Sequence, residues 1–150
     1  MKIIIAGSRD YEDWKTAFEY IQKAPFISEI TELVCGMAAG VDTIGMYFAF
    51  DYNIPIKRFP ANWHKLGAAA GPIRNKEMAE YADAAIIIMN NYSPGSMNML
   101  KNMKELNKPY FLVILEDGEL LAIGVEDKEV RAIDDISIST SESSSIENKS

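Results

Sequence analysis

The chain begins with the stretch KIIIAGSRDY (residues 2–11), in which β-branched residues are followed by a glycine and a polar segment. β-Branched residues favour strands, and glycine with polar neighbours is typical of the turn that follows a strand. The apolar run is too short for the core of a secretory signal peptide. We therefore predict a buried first strand with a polar loop directly behind it.

Short apolar runs alternate with segments of helical periodicity along the rest of the chain. Strands that are apolar throughout and separated by helices are typical of a parallel sheet covered on both faces. The sequence therefore predicts an α/β, Rossmann-like fold: a mostly parallel sheet with helices on both faces. The predicted strands are residues 2–6, 30–35, 54–59, 84–89 and 110–115, with a sixth, edge strand over 120–125, and the predicted helices are residues 13–23, 42–52 with Asp42 as N-cap, 68–81 and 96–106.

The length and composition are those of one globular domain. We expect a folded domain over residues 1–136 and a disordered tail over 137–150, which is rich in Ser and Glu and poor in apolar residues. A single cysteine, Cys35, cannot form an internal disulfide, so we expect a cytoplasmic protein. No apolar run approaches the ~20 residues of a membrane helix, which predicts no membrane partner.

The net charge of -7 is concentrated near the C-terminus. The sequence has 22 acidic and 15 basic residues. Residues 116–150 contain ten of the acidic and three of the basic ones, so residues 1–115 contain twelve of each kind. A neutral body lacks the broad basic field that nucleic-acid binding requires. We therefore predict no nucleic-acid partner, although local basic clusters for one small anion remain compatible with this charge.

The loops after the predicted strands carry the candidate site. Ligands of open parallel sheets bind beyond the carboxyl ends of the strands, where glycines permit close approach and helix N-termini offer free N–H groups. Arginines there grip phosphates or carboxylates in a bidentate manner. The predicted ligand-binding residues are Gly7, Ser8, Arg9, Gly36, Gly40, Asp42, Trp63, Gly71, Arg74, Asn75, Gly95 and Ser96.

Several kinds of site are absent from the sequence. Neither Gly-x-Gly-x-x-Gly after the first strand nor a P-loop motif occurs, which argues against an ordinary dinucleotide dehydrogenase or P-loop NTPase. There is no Gly-x-Ser-x-Gly elbow either. His64 is the only histidine, so we expect no histidine-based metal site, and no cofactor is predicted.

Three stretches carry a family resemblance: IAGSRDY (5–11), GMAAGVD (36–42), and PANW followed by AGPIRNKEM within 60–78. Together they resemble the YspA-like, cpYpsA-related branch of the SLOG superfamily, which includes the LOG nucleotide phosphoribohydrolases and the DprA/Smf proteins. The resemblance extends over roughly residues 1–115. It implies a Rossmann-like sheet that binds a nucleotide or nucleotide-derived ligand, such as a signal in phage–bacterium conflict, and a homodimer.

The chain departs from these relatives at two positions. A basic residue is usual in the YspA-like pattern where Ala39 stands. LOG enzymes carry Pro-Gly-Gly-x-Gly-Thr-x-x-Glu after the fourth strand, and Met99 stands where the catalytic Glu is expected. By contrast, Arg74 with Asn75 and Met78 resembles the Arg-Lys-x-x-Met element of the LOG enzymes. The residues that bind phosphate in the LOG enzymes are therefore better preserved in this chain than the residues that carry out their acid–base chemistry.

These observations favour a module that senses or sequesters a nucleotide-type ligand. Its phosphate is predicted to lie among Gly7, Ser8, Arg9 and the helix start at Gly95 and Ser96. The alternative is an N-glycosidase or phosphoribohydrolase acting on a nucleoside monophosphate, which needs a positioned carboxylate. Single-stranded DNA binding, as in DprA, is disfavoured by the neutral body. The catalytic candidates are Arg74, Asp10, Asp42 and Glu77.

Overall fold

A computed structural model describes residues 1–127, so the predicted tail and the end of the predicted domain lie outside the described residues. Within these residues the sheet has six strands in the order β3-β2-β1-β4-β5-β6, and only β6 runs antiparallel to its neighbour. The elements are β1 Lys2–Gly7, α1 Trp14–Lys23, β2 Glu32–Cys35, α2 Val41–Asp51, β3 Ile56–Arg58, α3 Trp63–Leu66, α4 Ala70–Tyr81, β4 Ala84–Asn90, α5 Pro94–Glu105, β5 Tyr110–Glu116 and β6 Glu119–Glu126, with 3-10 turns at Ile27–Glu29 and Gly67–Ala69.

The hydrophobic core lies on both faces of the sheet. Successive side chains of a strand point to opposite faces, so the apolar run of β1 supplies both. Ile3 and Ile5 pack with α1 and α2 on one face. Ile4 packs on the other face with Met78 of α4 and Met99 of α5. This arrangement confirms the predicted α/β, Rossmann-like fold with helices on both faces.

Two helix starts differ from the prediction. Asp42 was expected to cap the second helix, but α2 begins at Val41 behind Gly40, and the Asp42 side chain turns back to the N–H of Ala38. The prediction of Asp42 as N-cap is therefore wrong. Helix α5 begins at Pro94 rather than at Ser96, because the hydroxyl of Ser93 accepts the N–H of Ser96.

The segment between the predicted strand over 54–59 and the predicted helix over 68–81 contains helical structure that the sequence did not predict. It contains α3, and α4 begins at Ala70, so Arg74 and Asn75 lie in the second turn of α4. The predicted edge strand is confirmed and spans Glu119–Glu126. No helix within residues 1–127 combines the length and apolar character needed to cross a bilayer.

Ser8 joins the loops at the carboxyl edge of the sheet. Its N–H donates to Ile88 O at 3.0 Å, and its carbonyl accepts the N–H of Val41 at 3.1 Å. Its hydroxyl accepts the N–H of Asn90 at 2.8 Å and donates to the Asn90 carbonyl at 3.2 Å. The strand order reverses between β1 and β4, so Ser8 lies at the point where ligands bind in such sheets.

Gly40 is required for the loop after β2 to reach this junction. Its φ is +72°, and a Cβ built on it would lie 2.2 Å from the carbonyl oxygen of Ser8. Both features exclude a side chain, because residues other than glycine are strained at positive φ and no Cβ fits so close to a backbone oxygen.

We expect Gly40→Ala to lower the free energy of unfolding by at least about 2 kcal/mol, because backbone strain and overlap with Ser8 add. The matched control is Gly95→Ala. Gly95 lies in helix α5, and a Cβ built on it meets nothing within 4 Å. The control should raise the free energy of unfolding by up to about 1 kcal/mol. Urea denaturation measures both, and equal effects would contradict the close approach at Gly40.

Candidate ligand-binding site

A cleft of about 320 Å³ opens at the carboxyl edge of the sheet. The loops after β1, β2 and β3 contribute most of its walls, and α4 contributes Arg74. This is the edge at which parallel sheets bind ligands. The residues that line the cleft are Arg9, Gly36, Met37, Ala38, Ala39, Pro60, Ala61, Trp63 and Arg74.

A larger hollow of about 530 Å³ lies at the opposite edge of the sheet. Met1, Asp83 and Pro109, each just before a strand, contribute to its lining. Ligands of open α/β sheets bind at the carboxyl ends of strands, so position favours the smaller cleft. The smaller cleft also holds two arginines, and among the described residues the larger hollow holds none.

Arg9 is the exposed cation of the cleft. It lies two residues beyond the end of β1, and within residues 1–127 its guanidinium has no hydrogen-bond or ion-pair partner. All five N–H groups of a guanidinium are donors, so Arg9 retains its full capacity for a bidentate bond to an anion. The predicted role of Arg9 is compatible with this position.

Arg74 holds the walls of the cleft together. Its Nε donates to Asn75 Oδ1 at 3.1 Å, and its Nη1 donates to the carbonyls of Gly36 and, at 3.5 Å, Phe59. These carbonyls belong to the segments after β2 and β3. Within residues 1–127, only Nη2 lacks a partner, so Arg74 offers an anion one nitrogen rather than the expected bidentate fork.

Asn75 and Ser96 serve helix contacts. The Asn75 amide nitrogen donates to Gly95 O at 3.2 Å and to Asn98 Oδ1 at 3.0 Å, which ties α4 to the start of α5. The Ser96 hydroxyl is buried and lies 2.9 Å from that of Ser93. Gly95 and Ser96 lie at the start of α5 and do not line the cleft.

Asp42 is a buried carboxylate behind the wall of the cleft. It is 5 % exposed, and its Oδ2 accepts the N–H of Ala38 at 3.2 Å. Burial raises the pKa of this carboxyl, although backbone hydrogen bonds from Ala38, Gly7 and Gly36 and the charge of Arg74 act in the opposite direction. The carboxylate is therefore held by the protein's own donors and does not line the cleft.

Several predicted glycines leave room for protein atoms rather than for a ligand. A Cβ on Gly7 would lie 1.9 Å from Ile88 O. A Cβ on Gly36 would lie 2.8 Å from Asp42 Oδ2 and 2.9 Å from Arg74 Nη1. Gly71 faces the ring of Trp63, which a Cβ would approach to 3.1 Å. Close packing at the carboxyl edge explains these glycines.

The remaining carboxylate candidates lie away from the cleft. Asp10 and Glu77 are exposed, and neither belongs to its lining. Met99, at the position of the LOG Glu, is 1 % exposed in the core between α5 and the sheet. Residues 1–127 also hold no group of three His, Cys, Asp or Glu suited to a metal ion.

Sequence reasoning missed Met37 as a cleft residue. Its φ is +65°, and its side chain is 42 % exposed in the lining. Nothing in the residue type indicates this conformation, because methionine rarely adopts positive φ. Its signal in the sequence is limited to an apolar side chain in a loop of small residues.

The family comparison covers the first part of this site. Residues 1–66 match the YspA, cpYpsA-related SLOG family. This match confirms the family resemblance of the sequence, and it includes Arg9, the loop with Met37, and Trp63. Arg74 and α5 lie beyond the matched residues. No curated protein sequence and no solved structure matches the chain.

The raised pKa of Asp42 gives a pH dependence of stability. The folded state favours the neutral form of this carboxyl. The neutral form therefore stabilises the fold fully below the unfolded pKa near 3.8, and this stabilisation is lost as the pH rises through the folded pKa. We expect wild type to lose stability relative to Asp42→Asn as the pH rises above about 4. Urea denaturation at several pH values measures the difference in the free energy of unfolding between the two proteins. A wild type that gains stability relative to Asp42→Asn as the pH rises would contradict the burial argument.

Proposed function

We propose that this protein binds a nucleotide-type ligand in the cleft and acts as a sensor or sequestering module. The ligand's phosphate pairs with the guanidinium of Arg9 and with Nη2 of Arg74. The proposal depends on one observation above all: Arg9 is exposed and unpaired, among residues 1–127, in a cleft at the carboxyl edge of a parallel sheet. The SLOG match over residues 1–66 supports a nucleotide-related role.

The charge of the cleft fits a small anion. Among residues 1–127, its lining holds two arginines and no carboxylate. Residues 1–115 carry equal numbers of acidic and basic side chains, so this positive charge is local. A local pair of cations suits one phosphate group, whereas a nucleic-acid backbone needs an extended basic surface.

The placement differs from the one that the sequence favoured. The hydroxyl, N–H and carbonyl of Ser8 are all bonded within the protein, and Gly95 and Ser96 do not line the cleft. Arg9 is the member of that predicted set which lines the cleft. We therefore propose the phosphate position between Arg9 and Arg74 instead of at the start of α5.

We expect Arg9→Ala to weaken AMP binding by about 1.5–3 kcal/mol, the range for a hydrogen bond to a charged group. Isothermal titration calorimetry at low salt measures the change. Arg58→Ala is the matched control, because Arg58 is exposed at the end of β3 and does not line the cleft. Unchanged affinity in a folded Arg9→Ala protein, or an equal loss in the control, would contradict the proposal.

Asp42 supports a second candidate, hydrolysis of the N-glycosidic bond of a nucleoside monophosphate. Its carboxyl lies behind Gly36 with a raised pKa, a property of general acids. Its donors, however, are backbone groups of the loop, and it is 5 % exposed. Met99 offers no substitute, because Met99→Glu would place a carboxylate in the apolar core rather than in the cleft.

We expect no release of base from AMP over several hours, since no carboxylate of residues 1–127 lines the cleft. Chromatography of the reaction mixture measures adenine, with Asp42→Asn and Arg74→Ala as controls against contaminating activity. Robust release that both substitutions abolish in folded protein would overturn the binding-module proposal in favour of the hydrolase.

A further inference from the structure

Met37 has an unusual backbone conformation for its residue type. Five non-glycine residues among 1–127 have positive φ, and four of them are Asn53, Asn91, Asn107 and Asp117. Asn and Asp tolerate this region through local hydrogen bonds, whereas a methionine has no such compensation. Strained residues persist where the surrounding structure holds them, and they cluster at ligand sites. Met37 is the one that lies in the cleft.

The loop around Met37 directs its polar groups inward. The N–H of Met37 donates to Cys35 Sγ at 3.4 Å, and the N–H of Ala38 donates to Asp42 Oδ2 at 3.2 Å. The Ala38 carbonyl accepts the hydroxyl of Thr43 at 3.2 Å. These three backbone groups are therefore bonded within the protein, and the exposed side chain of Met37 is the largest that this loop contributes to the lining of the cleft.

Trp63 supplies an aromatic surface to the same cleft. It is 52 % exposed, although one edge of its ring packs near Gly71 on α4. The helix that begins at Trp63 is capped by Asn62, whose side-chain oxygen accepts the N–H of Lys65 at 3.1 Å. The indole is thus held on a short helix with half of its surface accessible.

The lining of the cleft divides into two chemical parts. Arg9 and Arg74 are cationic, and every other lining residue is apolar or glycine: Gly36, Met37, Ala38, Ala39, Pro60, Ala61 and Trp63. In the part of the chain that the structure describes, no lining side chain is an amide, a hydroxyl or a carboxylate. The chemistry of this lining suits a ligand that joins an anionic group to a planar group with an apolar face.

We propose that Met37 and Trp63 form the part of the cleft that holds the base of the ligand. This inference rests on the proposed function and adds how the base is recognised. The indole stacks on the base, and the polarisable thioether of Met37 packs against it. Recognition by stacking is tolerant, because every base has a π face. The four nucleoside 5′-monophosphates therefore bind within about tenfold of one another, and each binds more tightly than ribose 5-phosphate.

Trp63 fluorescence tests this contact directly. The chain has two tryptophans, and Trp14 lies on α1 outside the cleft lining, so Trp14→Phe leaves Trp63 as the single reporter. AMP should quench this protein, whereas ribose 5-phosphate should bind without quenching. In the wild-type background, Trp63→Ala should weaken AMP binding about five- to a hundredfold, as loss of a stacking partner does.

Met37→Gly separates ligand contact from folding. Glycine adopts the φ of +65° without strain, so the variant should melt at or above the wild-type temperature. AMP affinity should fall about two- to tenfold, as expected for loss of a sulfur–aromatic contact. Ribose 5-phosphate affinity should stay unchanged. The matched control is Met97→Ala, because Met97 is similarly exposed on α5 and does not line the cleft.

The outcomes separate this inference from the proposed function. Arg9-dependent binding in which ribose 5-phosphate matches AMP, without quenching, would overturn the base contact and leave the phosphate site intact. One monophosphate that binds far more than tenfold better than the other three would overturn tolerant stacking. Binding of none of these five compounds would overturn both proposals.

Discussion

Ser8 uses its N–H, carbonyl and hydroxyl to join β1 to β4 and to the start of α2. It is 1 % exposed, so these bonds form without competition from water. The junction brings the loops after β1 and β2 together, and Gly40 makes the approach possible because it has no Cβ. The position of Arg9, the next residue along the chain, follows from this junction.

Arg74 provides the second tie at the same edge. Its bonds to the carbonyls of Gly36 and Phe59 connect the segments after β2 and β3, on either side of the cleft. Buried donors and acceptors are thereby satisfied by the protein itself. Among residues 1–127, the larger lining side chains left for a ligand are the guanidinium of Arg9, one nitrogen of Arg74, and the exposed side chains of Met37 and Trp63. These groups can bind a ligand, but none of them is suited to donate or accept a proton, which favours binding over acid–base chemistry.

The fold class was predictable from the sequence because β1 and β4 are apolar on both faces, a pattern that parallel sheets require. Arg9 and Trp63 were also assigned to the carboxyl edge from their place after predicted strands. The direction of Asp42 was not predictable, because it depends on the backbone of Ala38 across a turn. The positive φ of Met37 was likewise not predictable. It accompanies a bond from the Met37 N–H to Cys35 Sγ and one from the neighbouring Ala38 N–H to Asp42, which no local pattern encodes.

The central claim is that the cleft holds the ligand's phosphate at Arg9 and its base against Met37 and Trp63. A crystal structure of the protein with AMP tests it most directly. The account predicts phosphate oxygens about 3 Å from the guanidinium of Arg9 and the adenine ring in contact with the indole. A phosphate bound instead at the start of α5 beside Gly95, or an empty cleft at saturating AMP, would contradict it.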